Sequence, residues 1–436
     1  SAASDVYKRQ IMQSLEKYIP EMLETRRAIH QKPEEGWTEF ETTALVVERL
    51  EKLGYKVQMG LEVINPEAVM GRNPALVEKA IARACANGVS EELLHRMGGY
   101  TGAVAVLDTG RPGPTTAFRF DMDCVLVEES TEASHVPTAE GFCSTRPGLM
   151  HACGHDAHTA TGLTLAHWLV DHKDELVGRV KLIFQPAEEG TRGAAAMAAA
   201  GVVDDVDWFF GAHVGAGCTL GEVGIIYEGF LATTKIDIFF KGTPSHTGAE
   251  PEKGHSALMA AATCALSIQA IPRHGQGATR VAVGTLQAGE GRNVTPVHAK
   301  MQVEVRGETS EINAYMVDKV AHAVEGAAII QEVEGWWEKA GEATNLVSSP
   351  EACEVLEKVT EEMPDVKVVR FHKVAGSEDC CTLVRRAQAH GAKGAFFLYG
   401  CNQNGHHRAD FEIQDTVSLP IALRVLVGTV SKLNKA

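Results

Sequence analysis

Apolar positions recur at helical spacing through residues 13–30, where Pro20 marks a break or a fresh first turn. A polar turn over 31–35 leads to a second helical pattern, Phe40 to Leu53, with Leu45, Val46, Leu50 and Leu53 on one face. Residues 64–98 read as an insertion with helices of its own. Asn73-Pro74 fits a cap followed by proline in the first turn, and Leu76, Val77, Ala80, Ile81 and Ala84 form an apolar stripe. Ser90 fits the cap of a short second helix that stops near Gly98-Gly99. The apolar runs then shorten to strand length. Thr115–Phe120, Val180–Phe184 and Val206–Phe210 read as buried strands, with a helix over 156–171 between the first two. This alternation predicts a largely parallel sheet, whose ligands sit beyond the carboxyl ends of its strands. Asp121, Glu188, Glu189 and His213 each fall just after a predicted strand.

After Tyr227 the rhythm changes. Thr233–Phe240 alternates, an Ala-rich helix covers 254–271, and a strand covers 280–287. Met301–Arg306 alternates cleanly, then a helix over 311–327 and a strand near 329–337 complete the order β-α-β-β-α-β, which is ferredoxin-like. Residues 343–436 return to helix and strand alternation and end in an amphipathic helix after Pro420. The expected fold class is therefore α/β: a mostly parallel-sheet domain in two parts, 11–228 (with the insertion 64–98) and 342–436. An α+β ferredoxin-like domain, 229–341, is inserted between them. Its exposed edge strands make a dimer the expectation.

Composition changes this picture in three places. A net charge of −16 argues against nucleic acid and anionic membrane as partners. Ten cysteines without a CxxC pair, and no hydrophobic signal segment, read as reduced thiols in the cytoplasm rather than a disulfide framework. No apolar run approaches the roughly 20 residues that span a bilayer. Residues 1–10 resemble translated adaptor sequence and are excluded from the fold reasoning.

The chemistry concentrates in Met150-His151-Ala152-Cys153-Gly154-His155-Asp156-Ala157-His158. Thiolate and imidazole are ligands for borderline-soft divalent metals, and a nearby carboxylate can fix an imidazole through its second nitrogen. Gly154 lets the backbone bend so that Cys153 and His155 face one centre. Taken singly, each of these residues reads as a helix start with solvent-facing histidines; the cluster does not. Glu188-Glu189 alone reads equally as an acidic helix start. No GxSxG elbow and no HExxH occur, which disfavours serine-hydrolase and zincin chemistry.

Met150–Asp156, Gln185-Pro186-Ala187-Glu188-Glu189-Gly190 and Gly376-Ser377-Glu378-Asp379 resemble the M20 metallopeptidase/amidohydrolase family, in its hippurate and auxin-conjugate branch. Arg26-Arg27 to Glu39, Phe118–Asp123 and Asn293–Pro296 also fit. The insertion, the turn 108–114 and Glu188–Ala194 look most like the A-type subunits of p-aminobenzoyl-glutamate hydrolases. The resemblance implies two divalent metal ions, Mn or Zn, on Cys153, His155, Glu189, His213 and a C-terminal histidine. Of His406 and His407 the family spacing to Phe411 selects His407, although the usual intervening proline is absent. Glu188 would be the general base, taking a proton from water whose pKa a metal has lowered and passing it to the leaving amine. Asp121, Asp123 and Asp156 would orient imidazoles, with Asp121 an alternative ligand; His151 and His158 read as structural. His246 would reach the other subunit's site to stabilise the oxyanion, and Asn293 and Arg306 would hold a substrate carboxylate. The implied reaction is metal-dependent hydrolysis of an N-acyl (aromatic-acyl) amino acid, with p-aminobenzoyl-glutamate leading. Hippurate or indole-acyl conjugates are the alternatives, as is a non-catalytic role beside a B-type subunit. The implied assembly is a homodimer or a complex with that B-type partner.

Overall fold

The computed structural model describes residues 15–436, so the predicted start at 11 and the first residues of the N-terminal helix lie outside the described residues. The chain divides into two compact units. The first holds residues up to Gly229, Leu346–Val374 and Cys380–Ala436; the second holds Phe230–Asn345 and Ala375–Asp379.

In the first unit the elements are α1 (Ile19–His30), α2 (Phe40–Lys52), β1 (Val57–Met59), α3 (Pro74–Ala86), α4 (Glu91–Met97), β2 (Ala103–Asp108) and β3 (Thr115–Asp121). They continue with α5 (His155–Asp171), β4 (Arg179–Gln185), α6 (Ala194–Ala199), β5 (Trp208–Val214) and β6 (Glu222–Ile226). Eight strands form one sheet. Its centre is parallel: β3 lies between β4 and β5, with Phe118 opposite Leu182 and Phe210. All seven residues of β3 are buried, as expected of a strand covered on both faces. Its two charged residues pair with each other, Arg119 to Asp121 at 2.6 Å, which is what makes their burial tolerable. β1 and β2 extend one side antiparallel, β2 pairing with β4.

The second unit contains β7 (Ala232–Lys241), α7 (Ala257–Gln269), β8 (Thr279–Ala288), β9 (His298–Gly307), α8 (Ser310–Gln331) and β10 (Glu334–Ala343). Its sheet order is β10-β7-β9-β8 with every pairing antiparallel, the ferredoxin-like arrangement expected from sequence. Ile236, Ile238 and Phe240 pack with Met301, Val303 and Val305 from β9 and with Met316, Val320 and Val324 from α8. The chain then returns to the first unit with α9 (Pro350–Glu361), β11 (Lys367–Phe371), α10 (Cys380–Ala389), β12 (Lys393–Tyr399) and α11 (Asp415–Leu433). β12 joins β5 in parallel, so the full order of the large sheet is β1-β2-β4-β3-β5-β12-β6-β11.

Several sequence expectations shift. α8 runs four residues beyond 327 and ends where Glu332 adopts φ 53°, so the last strand of the second unit starts later than the expected 329–337. Ile329 and Ile330 read as strand residues but are exposed on the helix. His213 lies inside β5 rather than after it, because that strand continues four residues past Phe210. The C-terminal helix begins at Asp415 and contains Pro420 instead of following it. At 19 residues, α11 is long and apolar enough to cross a membrane by length and composition alone, contrary to the expectation of no such run. Its buried residues, among them Leu419, Leu423, Leu426 and Val430, face the interior, and it packs on α1, α5 and α9. It is a core helix here.

Candidate metal centre

The site is assembled on three neighbouring strand ends. Between β3 and α5 the chain passes through Cys153 and Gly154, whose φ of 90° belongs to glycine. A Cβ on Gly154 would lie 2.4 Å from a methyl of Val214, so the cysteine loop and β5 meet closely only because that position has no side chain. The result is direct: Cys153 Sγ lies 3.4 Å from His213 Nε2. His213 Nδ1 donates to the Val214 carbonyl at 2.7 Å, which fixes the tautomer and leaves Nε2 as a lone-pair donor. Burial, then the neighbouring His158, hold its pKa well below the ordinary value, so it stays neutral.

His155 opens α5. Its Nδ1 is 3.2 Å from Asp123 Oδ1, while its Nε2 is buried without a hydrogen-bond partner. That nitrogen faces oxygens of Asp121, Glu188 and Glu189 at 3.8, 3.8 and 3.9 Å. An orphaned imidazole nitrogen ringed by carboxylates just beyond hydrogen-bond distance is the donor arrangement a cation would complete.

The Glu188-Glu189 pair sits on the turn after β4. Three consecutive N–H groups of this turn are received by two buried carboxylates. Glu39 accepts from Ala187 at 2.7 Å, and Asp123 accepts from Glu188 at 3.0 Å and from Glu189 at 2.9 Å. Ala187 has φ 52°, an uncommon conformation for a residue with a side chain, and this clamp holds it there. Glu189 Oε1 is 3.1 Å from His407 Nε2, and the hydrogen bond raises the His407 pKa.

Potential ligand atoms thus fall into overlapping groups lying within 4.8 Å of one another: Cys153, His155 and His213; Cys153, Glu189 and His407; His155, Glu188 and Glu189. Cys153 and His155 offer both soft and borderline donors, and Glu189 an oxygen, a set that fits divalent zinc or manganese. Burial pushes the Cys153 thiol pKa up, with the Glu189 charge adding to it; an adjacent cation favours the thiolate.

His158 is engaged at both nitrogens, to Asp121 at 2.5 Å and from the Val214 N–H at 3.0 Å. Its role is to brace β5 against α5. Asp121 also receives Arg119, and its pKa is held well below the ordinary value. Burial opposes this, but the charges of His155 and Arg119 outweigh it. Asp156 turns to Arg26 at 2.9 Å and His30 Nδ1 at 2.8 Å, so the imidazole it orients is His30 and not a member of the donor groups. His406 Nδ1 lies 3.7 Å from Cys153 Sγ, its Nε2 accepts from the Ala216 N–H, and burial pushes its pKa down to about 4. His246, Asn293 and Arg306 belong to the second unit. The first two are exposed on loops joined by a bridge between His246 and Val294. Arg306 is at the opposite end of β9, bonded to Glu304 at 3.0 and 3.2 Å. Glu39 was missed as a site residue, since Thr38-Glu39-Phe40 reads simply as the start of α2.

The sequence profile of peptidase family M20/M25/M40 matches residues 117–432. The chain belongs to that family. Two relatives match it over nearly its whole length. The A-subunit homolog of p-aminobenzoyl-glutamate hydrolase from Haemophilus influenzae is 43% identical over 95% of this chain and 99% of its own. The indole-3-acetyl-aspartic acid hydrolase of Enterobacter agglomerans is 44% identical over 94% and 95%. Among solved structures, the aminobenzoyl-glutamate utilization protein from Klebsiella pneumoniae superposes with a TM-score of 0.80 at 40% identity, covering 95% of this chain and 96% of that one. For an M20 chain, the clustered donors described above lie inside the matched span.

Proposed function

We propose that the chain is a metal-dependent amidohydrolase that cleaves the amide of an N-acyl acidic amino acid, with p-aminobenzoyl-glutamate as the leading substrate. The products would be p-aminobenzoate and glutamate. The observation that carries the reading is the convergence of Cys153, His155, Glu189, His213 and His407 around the turn that also bears Glu188. The names of the H. influenzae and E. agglomerans relatives add the substrate class, since glutamate and aspartate conjugates share an aromatic acyl group and an acidic amino acid.

Two divalent ions, Mn or Zn, would supply Lewis acidity to the scissile carbonyl and lower the pKa of the attacking water. The chain's own groups do the rest. Glu188 takes the proton from that water and delivers it to the amine nitrogen as the C–N bond breaks. Asp123 holds the Glu188 and Glu189 backbone and one nitrogen of His155, so the base and two ligands keep one geometry. Asp121 braces His158, and Asp156 braces His30. His246 from a second copy of the chain would stabilise the tetrahedral oxyanion, while Asn293 and Arg306 would hold the substrate α-carboxylate. A homodimer, or a complex with a B-type partner, fits the A-subunit name of the H. influenzae relative. Ten free cysteines fit a cytoplasmic location.

Substituting Glu188→Gln tests the central assignment. Activity of the purified chain, or of its complex with a B-type partner, should fall about 10³-fold with metal content unchanged. Full activity in the complex would mean that a partner does the chemistry.

A further inference from the structure

Arg192, on the Glu188-Glu189 turn, and Arg72, in the insertion packed against it, pair with no carboxylate among the described residues. Arg192 is half-buried and rigidly held. Its Nε donates to the Glu189 carbonyl at 2.8 Å and a terminal nitrogen to the Gly71 carbonyl at 3.1 Å. Its other terminal nitrogen sits over Gly36, where a Cβ would come within 2.3 Å of it. Of the five N–H groups a guanidinium carries, those two bonds use only two. Arg72 donates to the Gly99 carbonyl at 2.7 Å and lies 4.8 Å over the Tyr100 ring, while its Nε is buried without a partner.

Arg72 follows Gly71 in the insertion 64–98, so the segment whose carbonyl receives Arg192 also carries the second arginine. Two more contacts tie the insertion there: the Trp37 indole donates to the Met70 carbonyl at 2.8 Å, and the Asn65 N–H to the Ala196 carbonyl at 3.0 Å. The contrast with nearby arginines is informative. Arg83 pairs with Glu34 and Glu41, Arg146 with Glu41, and Arg119 with Asp121. In a chain of net charge −16, counterions are plentiful, yet these two guanidiniums are fixed by neutral carbonyls. Charge that is partly desolvated and left without a counterion is costly unless the anion arrives with a ligand.

We propose that Arg192, supported by Arg72 from the segment that holds it, recognises the side-chain carboxylate of the substrate's acidic amino acid. The insertion thereby sets a preference for glutamate and aspartate conjugates over neutral ones. This rests on the function proposed above and names a specificity determinant for it. A planar guanidinium suits a carboxylate through paired N–H···O bonds, and a site built for that anion discriminates against a neutral isostere.

The test compares p-aminobenzoyl-glutamate with p-aminobenzoyl-glutamine, which differ only in that carboxylate, using metal-loaded wild type, Arg192→Met, Arg192→Lys and Arg72→Met. The wild type should prefer the glutamate conjugate. Arg192→Met should lower the ratio of the two kcat/KM values about 10- to 100-fold, chiefly through KM, with Arg192→Lys in between. Arg72→Met, whose side chain does not bond the turn, should lower the ratio in the same direction. Equal hydrolysis of both conjugates by the wild type would overturn the inference and leave the proposed function standing. So would variants that slow both substrates in equal proportion. Hydrolysis of neither conjugate would defeat the proposed function, and the inference with it.

Discussion

Replacing Glu39 by Gln should stabilise the metal-stripped protein, and by more as the pH rises. Glu39 is fully buried, accepting from the Ala187 N–H at 2.7 Å and from the Thr101 hydroxyl at 2.7 Å. Burial, reinforced by the Asp123 charge, pushes its pKa up from 4.5 to about 8. The sign follows from which state binds the proton more tightly. Between about pH 4.5 and 8 the folded state keeps a proton that the unfolded state releases, so the wild type loses stability as pH rises through this window and is flat above it. The limiting slope is about 1.4 kcal/mol per pH unit. Gln does not titrate, and its amide oxygen and nitrogen can serve Ala187 and Thr101 in the same places. The gap between variant and wild type should therefore widen by about 2 kcal/mol or more from pH 5.5 to 7.5. Glu39→Ala should instead destabilise at every pH, by about 2 to 4 kcal/mol, because the Ala187 N–H and Thr101 hydroxyl lose their partner in a buried place. Urea unfolding followed by tryptophan fluorescence, in chelator, measures both. A pH-independent gap for Glu39→Gln, or one that narrows as pH rises, would refute the reasoning.

Three further outcomes are expected. Gly154→Ala should cost about 2 to 4 kcal/mol in thermal unfolding, since the added methyl meets Val214 and the φ of 90° disfavours a side chain. Cys153→Ser should lower bound metal per chain, read by elemental analysis after dialysis, with secondary structure retained by circular dichroism; undiminished metal would remove Cys153 from the ligand set. Asp123→Asn offers one acceptor where two carboxylate oxygens receive the Glu188 and Glu189 N–H groups. Metal affinity or turnover should fall about 10- to 100-fold, and a titration with Mn or Zn distinguishes the two.

The alternating β7 and β9 strands and the uninterrupted apolar β3 were legible because their period reports burial directly. The convergence of Glu188, Glu189 and His213 was legible because parallel-strand topology brings strand ends to one edge, and Cys153 and His155 stood out as a thiol and an imidazole in one short donor-rich stretch. Other parts depend on contacts that local pattern does not carry. β1 is only three residues and β6 contains Gly224, so neither has a periodic signature. The end of α8 is set by Glu332 turning left-handed, not by a loss of helical pattern. Glu39 and Arg192 look like ordinary charged residues in the sequence, and only the distances to Ala187, Glu189 and Gly71 give them a role.

The most direct test of the account is release of glutamate from p-aminobenzoyl-glutamate by the purified chain, assayed as isolated, after chelation, and after Mn or Zn is restored. The account predicts turnover that chelation abolishes and one of the two ions returns. Turnover that survives complete removal of metal would contradict it.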